Sequence, residues 1–136
     1  MRAKLIILGC GNSSGVPRID GNFGKCKKNN KKNLRTRCSA IIIKGINAIL
    51  IDTSPDIRMQ FISNKITNLS SIIYTHEHAD QTNGLFELRP FCFIRNKKKI
   101  NWWKKSNPIN IYGSNKTVKK LKERFDYCFK KISIYP

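Results

Sequence analysis

Ser71-Ile72-Ile73-Tyr74-Thr75-His76-Glu77-His78-Ala79-Asp80-Gln81 decides how this chain is read, because an apolar run feeds directly into two imidazoles and a carboxylate. A strand that ends in a turn with His at i and i+2 and an acid at i+4 aims several donors at one point. Zinc and similar divalent ions favour such nitrogen and oxygen ligands. The pattern is not His-Glu-x-x-His, whose imidazoles lie four apart on one helical face. Here a single residue separates them, so the geometry required is a turn at a strand end.

Working outward from this turn, the chain alternates apolar runs with helical patterns. Lys4-Leu5-Ile6-Ile7-Leu8 reads as a buried strand ended by Gly9 and Gly11. Gly9 to Gly15 differs from a dinucleotide-binding fingerprint, because Ser14 takes the place of the third glycine and no helical pattern follows. Ala40-Ile41-Ile42-Ile43 and Ala48-Ile49-Leu50-Ile51 flank Lys44-Gly45-Ile46-Asn47, which predicts a hairpin. Ser54-Pro55-Asp56 supplies a cap, a first-turn proline and an acid for a helix through about Ser63, with Ile57 and Phe61 facing the sheet.

After the histidine turn, Asn83 to Phe91 reads as a short helix and Arg95 to Asn107 as a basic loop containing Trp102 and Trp103. Ile109 to Tyr112 is a strand closed by Gly113. Ser114 then caps a helix with Val118, Leu121, Phe125 and Cys128 on one face. The order β, ββ, α, β, α, β, α makes this an α/β (α+β) chain with a mixed sheet flanked by helices.

Several segments together resemble the metallo-β-lactamase superfamily, in the branch that includes the phosphonate-pathway phosphodiesterases. They are Leu8-Gly9-Cys10-Gly11 through Gly15-Val16-Pro17, Arg35 to Ser39, Leu50 to Asp56, Tyr74 to Asp80, Gly84-Leu85, Leu88-Arg89 and Arg124 to Phe129. The turn follows that family's His-x-His-x-Asp-His signature. The resemblance implies an αββα sandwich built from two similar halves, of which residues 1–136 are a single, incomplete N-terminal half. It implies two divalent ions, zinc or manganese, bridged by a hydroxide that attacks a phosphodiester. His76 and His78 would serve the first metal, and Asp80 the second as the catalytic acid ligand. A divalent ion lowers the pKa of bound water from about 15.7 to about 7, and a pair of ions stabilises both attacking and leaving oxygens.

Two departures qualify that implication. Gln81 stands where the signature has its last His, and a neutral amide is a poorer zinc donor than imidazole. The chain ends at Pro136, about where the relatives are half finished, so their later ligands are absent. The expectation is a phosphodiesterase-like hydrolase by descent, impaired or inactive as this chain, whose partners are a phosphodiester substrate and a complementing C-terminal half or a second copy. Half a sandwich leaves a sheet face and strand edges uncovered.

Asp52, at the end of Ile49-Leu50-Ile51, corresponds in that family to an acid that holds the metal-binding loop. By position alone it serves equally as part of the cap with Ser54. Glu77 is expected to point to solvent. Cys10, Cys26 and Cys38 invite comparison with a structural zinc site of some relatives, but Cys26 lacks a close cysteine partner, and unpaired thiols are the better reading.

A net charge of +19 over 136 residues would suit a polyanion. From Lys25 to Arg37 there are seven cations and no acid, and Trp102-Trp103 sits among Lys97 to Lys99 and Lys104-Lys105. Abundant Lys, Asn and Ile with scarce Ala is also what an AT-rich coding sequence produces. A basic nucleic-acid-associated or interaction protein with a vestigial metal turn is thus the alternative, its binding non-specific. No apolar stretch reaches the roughly 18 residues of a membrane span, and Leu5 to Leu8 is too short for a signal region before Cys10. Five cysteines, an odd number, fit reduced thiols and a cytoplasmic location.

Overall fold

The computed structural model describes residues 2–92 and 108–130, and the expected basic loop with Trp102 and Trp103 lies outside them. Five strands form one mixed sheet in sequence order: β1 (Lys4–Gly9), β2 (Ser39–Lys44), β3 (Asn47–Ile51), β4 (Ser71–Ile73) and β5 (Asn110–Tyr112). β1 and β2 pair antiparallel from Lys4 opposite Ile43 to Ile7 opposite Ala40, then shift register before Gly9. β2 and β3 form the expected hairpin, closed by Lys44 opposite Asn47. Gly45 takes φ 60° in the two-residue turn, a left-handed conformation that favours glycine there.

β3, β4 and β5 run parallel, with Leu50 beside Ile72 and Ile72 beside Ile111. Parallel neighbours need crossovers. α1 (Ile57–Ser63) supplies the first. Its start is set by Ser54, whose carbonyl accepts the Ile57 N–H at 2.9 Å and whose Oγ accepts the Asp56 N–H at 3.1 Å. Ile57 and Phe61 are buried as their spacing predicts, and Gln60 is buried between them.

Between β4 and β5 the helix expected from Asn83 to Phe91 forms as a 3₁₀ helix (Leu85–Cys92) with Pro90 inside it, preceded by an extra short piece, α2 (Ala79–Thr82), within the histidine turn. Gly84 separates them because the chain there is pressed onto the end of β3, where a Cβ would stand 2.1 Å from the Ser54 carbonyl oxygen. After β5 comes α3 (Asn115–Arg124), capped by Ser114 Oγ accepting the Thr117 N–H at 3.2 Å. The helix expected to continue to Cys128 breaks at Phe125 (φ −125°, ψ 40°), and α4 (Asp126–Phe129) follows.

The buried faces of α1, the 3₁₀ helix and α3 meet one side of the sheet. Ile41, Leu50 and Ile72 from that side join Ile57, Phe61, Leu85, Leu88, Leu121 and Phe125 in one core. On the opposite side the register lines up Ile7, Ala40, Ile51, Ile73 and Tyr112 across the five strands. The described residues leave this row partly open: Ile7 is 60% exposed, Ile73 40% and Tyr112 54%. The row lies at the end of the sheet where β3 and β4 run out into Asp52 and the histidine turn.

Candidate metal-binding turn

Three structural pieces meet at the carboxyl ends of β3 and β4. Asp52 follows β3 in the left-handed region (φ 58°), a conformation that short polar residues tolerate better than most. Its N–H donates to the Ile73 carbonyl at 2.9 Å, extending the ladder by one bond. The side chain is 6% exposed and accepts twice from Thr75, from the main-chain N–H at 2.8 Å and from Oγ1 at 2.7 Å. Asp52 therefore grips the first residue of the turn, and of its two positional readings the cap is not the one the side chain adopts.

The grip reaches the first imidazole. Thr75 Oγ1 and His76 Nδ1 are 2.9 Å apart. A carboxylate only accepts, so the Thr75 hydroxyl spends its proton on Asp52 and accepts from His76 Nδ1–H. In the neutral ring this places the lone pair on Nε2, away from the clamp. The His76 and His78 rings stand edge to face, with centroids 4.6 Å apart and planes at 78°.

Thr53 welds the turn to β3 from below. Its N–H donates to the Gln81 carbonyl at 2.7 Å, and its carbonyl accepts from Gly84 N–H at 2.9 Å. Its hydroxyl, fully buried, lies 2.8 Å from the Tyr74 hydroxyl. Burial raises the Tyr74 phenol well above its ordinary range, so it stays protonated. None of this polar layer was signalled by apolar spacing, which marks only hydrophobic faces.

Glu77 does not face solvent as expected; its carboxylate pairs with Lys116 of α3 at 2.6 Å. That hydrogen bond holds the Glu77 carboxyl below the usual range. From the other end of α3, Arg124 Nη1 donates to the Glu77 carbonyl and to Thr82 Oγ1, both at 3.1 Å. Arg37, expected in a solvated loop, is half-buried instead, and its guanidinium holds Asp56 by two bonds at 2.6 and 2.9 Å. The Asp56 carboxyl is lowered accordingly.

The donors nonetheless fall short of a shell. Asp80 Oδ2 accepts from the Gln81 side-chain amide at 3.0 Å, and Gln81, 9% exposed, turns that amide to its neighbour. Among the described residues no group of three His, Cys, Asp or Glu side chains is placed to hold an ion. His76 and His78 thus form a pair of donors, while Asp80 is not brought into a set with them. A structural zinc needs four ligands and a catalytic one three with water, so the described residues do not fit a complete metal centre. Cys10, Cys26 and Cys38 are separate exposed thiols, and the structural zinc site considered for them is not formed.

Residues 47–135 match the family model of the β-lactamase superfamily domain. The chain belongs to that superfamily. The superfamily's metallo-β-lactamase fold is also found in a solved diphosphatase of the PhnP family, 32% identical, with a TM-score of 0.79 over 98% of this chain and 50% of the other. A Zn²⁺-bound PqqB from Methylobacterium extorquens shares the fold at 18% identity and a TM-score of 0.64, matching 90% of this chain and 43% of its own. A protein named octanoyltransferase from Porphyromonas gingivalis is 33% identical over 129 residues, which is 94% of this chain but 24% of that protein. The chain spans half the length of the diphosphatase and about a quarter of the octanoyltransferase. Among the described residues, no helix is long and apolar enough to cross a membrane.

Proposed function

We propose that this chain carries the histidine turn of a divalent-metal-dependent site that cleaves phosphodiesters or diphosphates, with zinc or manganese as the metal. In this reading residues 1–136 act as one half of a domain, and the chain alone is impaired or inactive. The observation that carries it is the imidazole pair at 4.6 Å, clamped through Thr75 to buried Asp52, in a chain 32% identical to a PhnP-family diphosphatase. The missing donors come from a complementing C-terminal half, which would also cover the row Ile7, Ala40, Ile51, Ile73 and Tyr112. Five free cysteines support a cytoplasmic setting.

Hydrolysis of a chromogenic phosphodiester with added zinc or manganese tests this. The native chain and Gln81→His are expected to show no turnover above His76→Ala, and activity to appear only when the complementing half of a relative is added. Elemental analysis after dialysis should find less than one metal per chain. Turnover by Gln81→His alone, or two tightly held ions per chain, would overturn the reading of an incomplete site.

One observation favours a second reading, non-specific association with nucleic acid. Lys25, Lys27, Lys28, Lys31, Lys32 and Arg35 all lie exposed on the loop between β1 and β2. Such a cluster binds phosphates by charge without reading sequence.

A further inference from the structure

The geometry points to Arg124 as a positioning residue for the imidazole pair, acting through the peptide groups that join the two rings. Arg124 Nη1 donates to the Glu77 carbonyl at 3.1 Å and to Thr82 Oγ1 at 3.1 Å. The Thr82 hydroxyl, having accepted from Arg124, donates its own proton to the His78 carbonyl at 2.9 Å. One guanidinium therefore reaches two consecutive carbonyls, directly at Glu77 and by relay at His78. Those carbonyls lie between and just beyond the imidazoles, so fixing them fixes the direction in which each side chain leaves the backbone. Hydrogen bonds from a cation exceed neutral ones, and bonds in series polarise one another.

Position and burial support the assignment. Arg124 closes the last turn of α3, where a cation also suits the carbonyl end of the helix dipole. Thr82 is fully buried, so its hydroxyl needs both partners. The other end of the same helix holds the Glu77 side chain through Lys116 at 2.6 Å. The turn is thus gripped from β3 by Asp52 and from α3 by Arg124. A lysine in place of Arg124 would bring a more strongly hydrated ammonium on a flexible stem, which must reach both acceptors that Nη1 now serves.

The inference rests on the imidazole pair being the donor set proposed above, and its test needs neither metal nor turnover, so the two readings fail separately. His76 and His78 are the chain's only histidines, and the imidazole region of its NMR spectrum belongs to them alone. At a 4.6 Å centroid separation the native rings should show a nuclear Overhauser effect between them and mutually shifted ring signals. In Arg124→Met and in Thr82→Val this cross-peak should vanish and the ring signals move toward free-histidine positions, while amide dispersion elsewhere stays native. Arg124→Lys should retain a weakened cross-peak, and Lys122→Met, on the same helix, should keep it whole. If Arg124→Met proves too unstable to study, Thr82→Val, nearly the same shape, decides alone. A native cross-peak in Thr82→Val or in folded Arg124→Met would overturn the assignment, leaving Arg124 a helix-packing residue only.

Discussion

Replacing Asp52 by Asn isolates the chemistry of the clamp from its shape. Asn tolerates the left-handed backbone that Asp52 adopts at φ 58°, so little conformational cost is added. One oxygen still accepts the Thr75 N–H, which in the native chain lies 2.8 Å from Asp52 Oδ1. The other becomes an amide that faces the Thr75 hydroxyl with a second donor. To escape that clash the hydroxyl must reverse, accept from the amide and give its proton to His76 Nδ1, which transfers the ring proton to Nε2.

The magnitude follows from the two bonds. Bonds to a carboxylate contribute roughly 1.5 to 3 kcal/mol each and neutral ones about 0.5 to 1.5, so two conversions cost about 2 kcal/mol. Relief from burying a charge at a 6% exposed site offsets part of that, leaving a net loss of about 1 to 2 kcal/mol. In a chain of this size that lowers Tm by about 4 to 8 °C. Thermal melting followed by circular dichroism reads the stability, and long-range ¹H–¹⁵N correlation reads which His76 nitrogen carries the proton. A variant that melts with the native protein and keeps its Nδ1–H form would refute the relay from Asp52 through Thr75.

Gly84→Ala should cost about 3 kcal/mol or more, because the new Cβ would meet the Ser54 carbonyl oxygen at 2.1 Å and Ile57 Cγ2 at 2.7 Å, and main chain cannot step aside; a chemical-denaturation midpoint measures it. Arg37 depresses the Asp56 carboxyl, so this pair's contribution is present above the unfolded value near pH 3.9 and is lost as pH falls through the lower folded value. Urea midpoints across that acid range should therefore fall more steeply for the native chain than for Asp56→Asn. If RNA binds, log affinity should fall linearly with log salt, and neutralising Lys27, Lys28, Lys31 and Lys32 should flatten the slope by about 0.7 for each phosphate that no longer meets a cation; affinity that survives high salt would contradict a purely electrostatic association.

The order of elements was legible because local chemistry set it: Gly45 between two β-branched runs made the hairpin, and Ile57 with Phe61 marked the buried face of α1. The histidine turn was legible for the same reason, since His76, His78 and the strand before them are contiguous. What connects distant segments was not. Lys116 and Arg124 reach the turn from 39 and 47 residues beyond Glu77, and nothing in a helix rich in exposed cations distinguishes these two from the cations that do not reach it. Gln60 was hidden by the assumption that buried means apolar; it is buried because its amide donates to Thr36 Oγ1 at 3.0 Å and the Arg37 carbonyl at 2.8 Å. The helix after Thr82 was legible in place but not in type, because periodicity registers Leu85 and Leu88 but not the close approach at Gly84 or the cost of Pro90 to regular α-helical bonding.

The row from Ile7 to Tyr112, which the described residues leave partly open, has an electrical consequence as well as a packing one. Ile51 and Ile73 immediately precede Asp52 and the segment that carries the imidazoles, so solvent on that face is also the dielectric medium of the turn. Coulomb energies vary inversely with that medium, and exchanging an effective constant of about 80 for about 20 strengthens each interaction about fourfold at fixed distance. Whatever displaces water from the row therefore amplifies the field at His76, His78 and Asp80 without moving any of them.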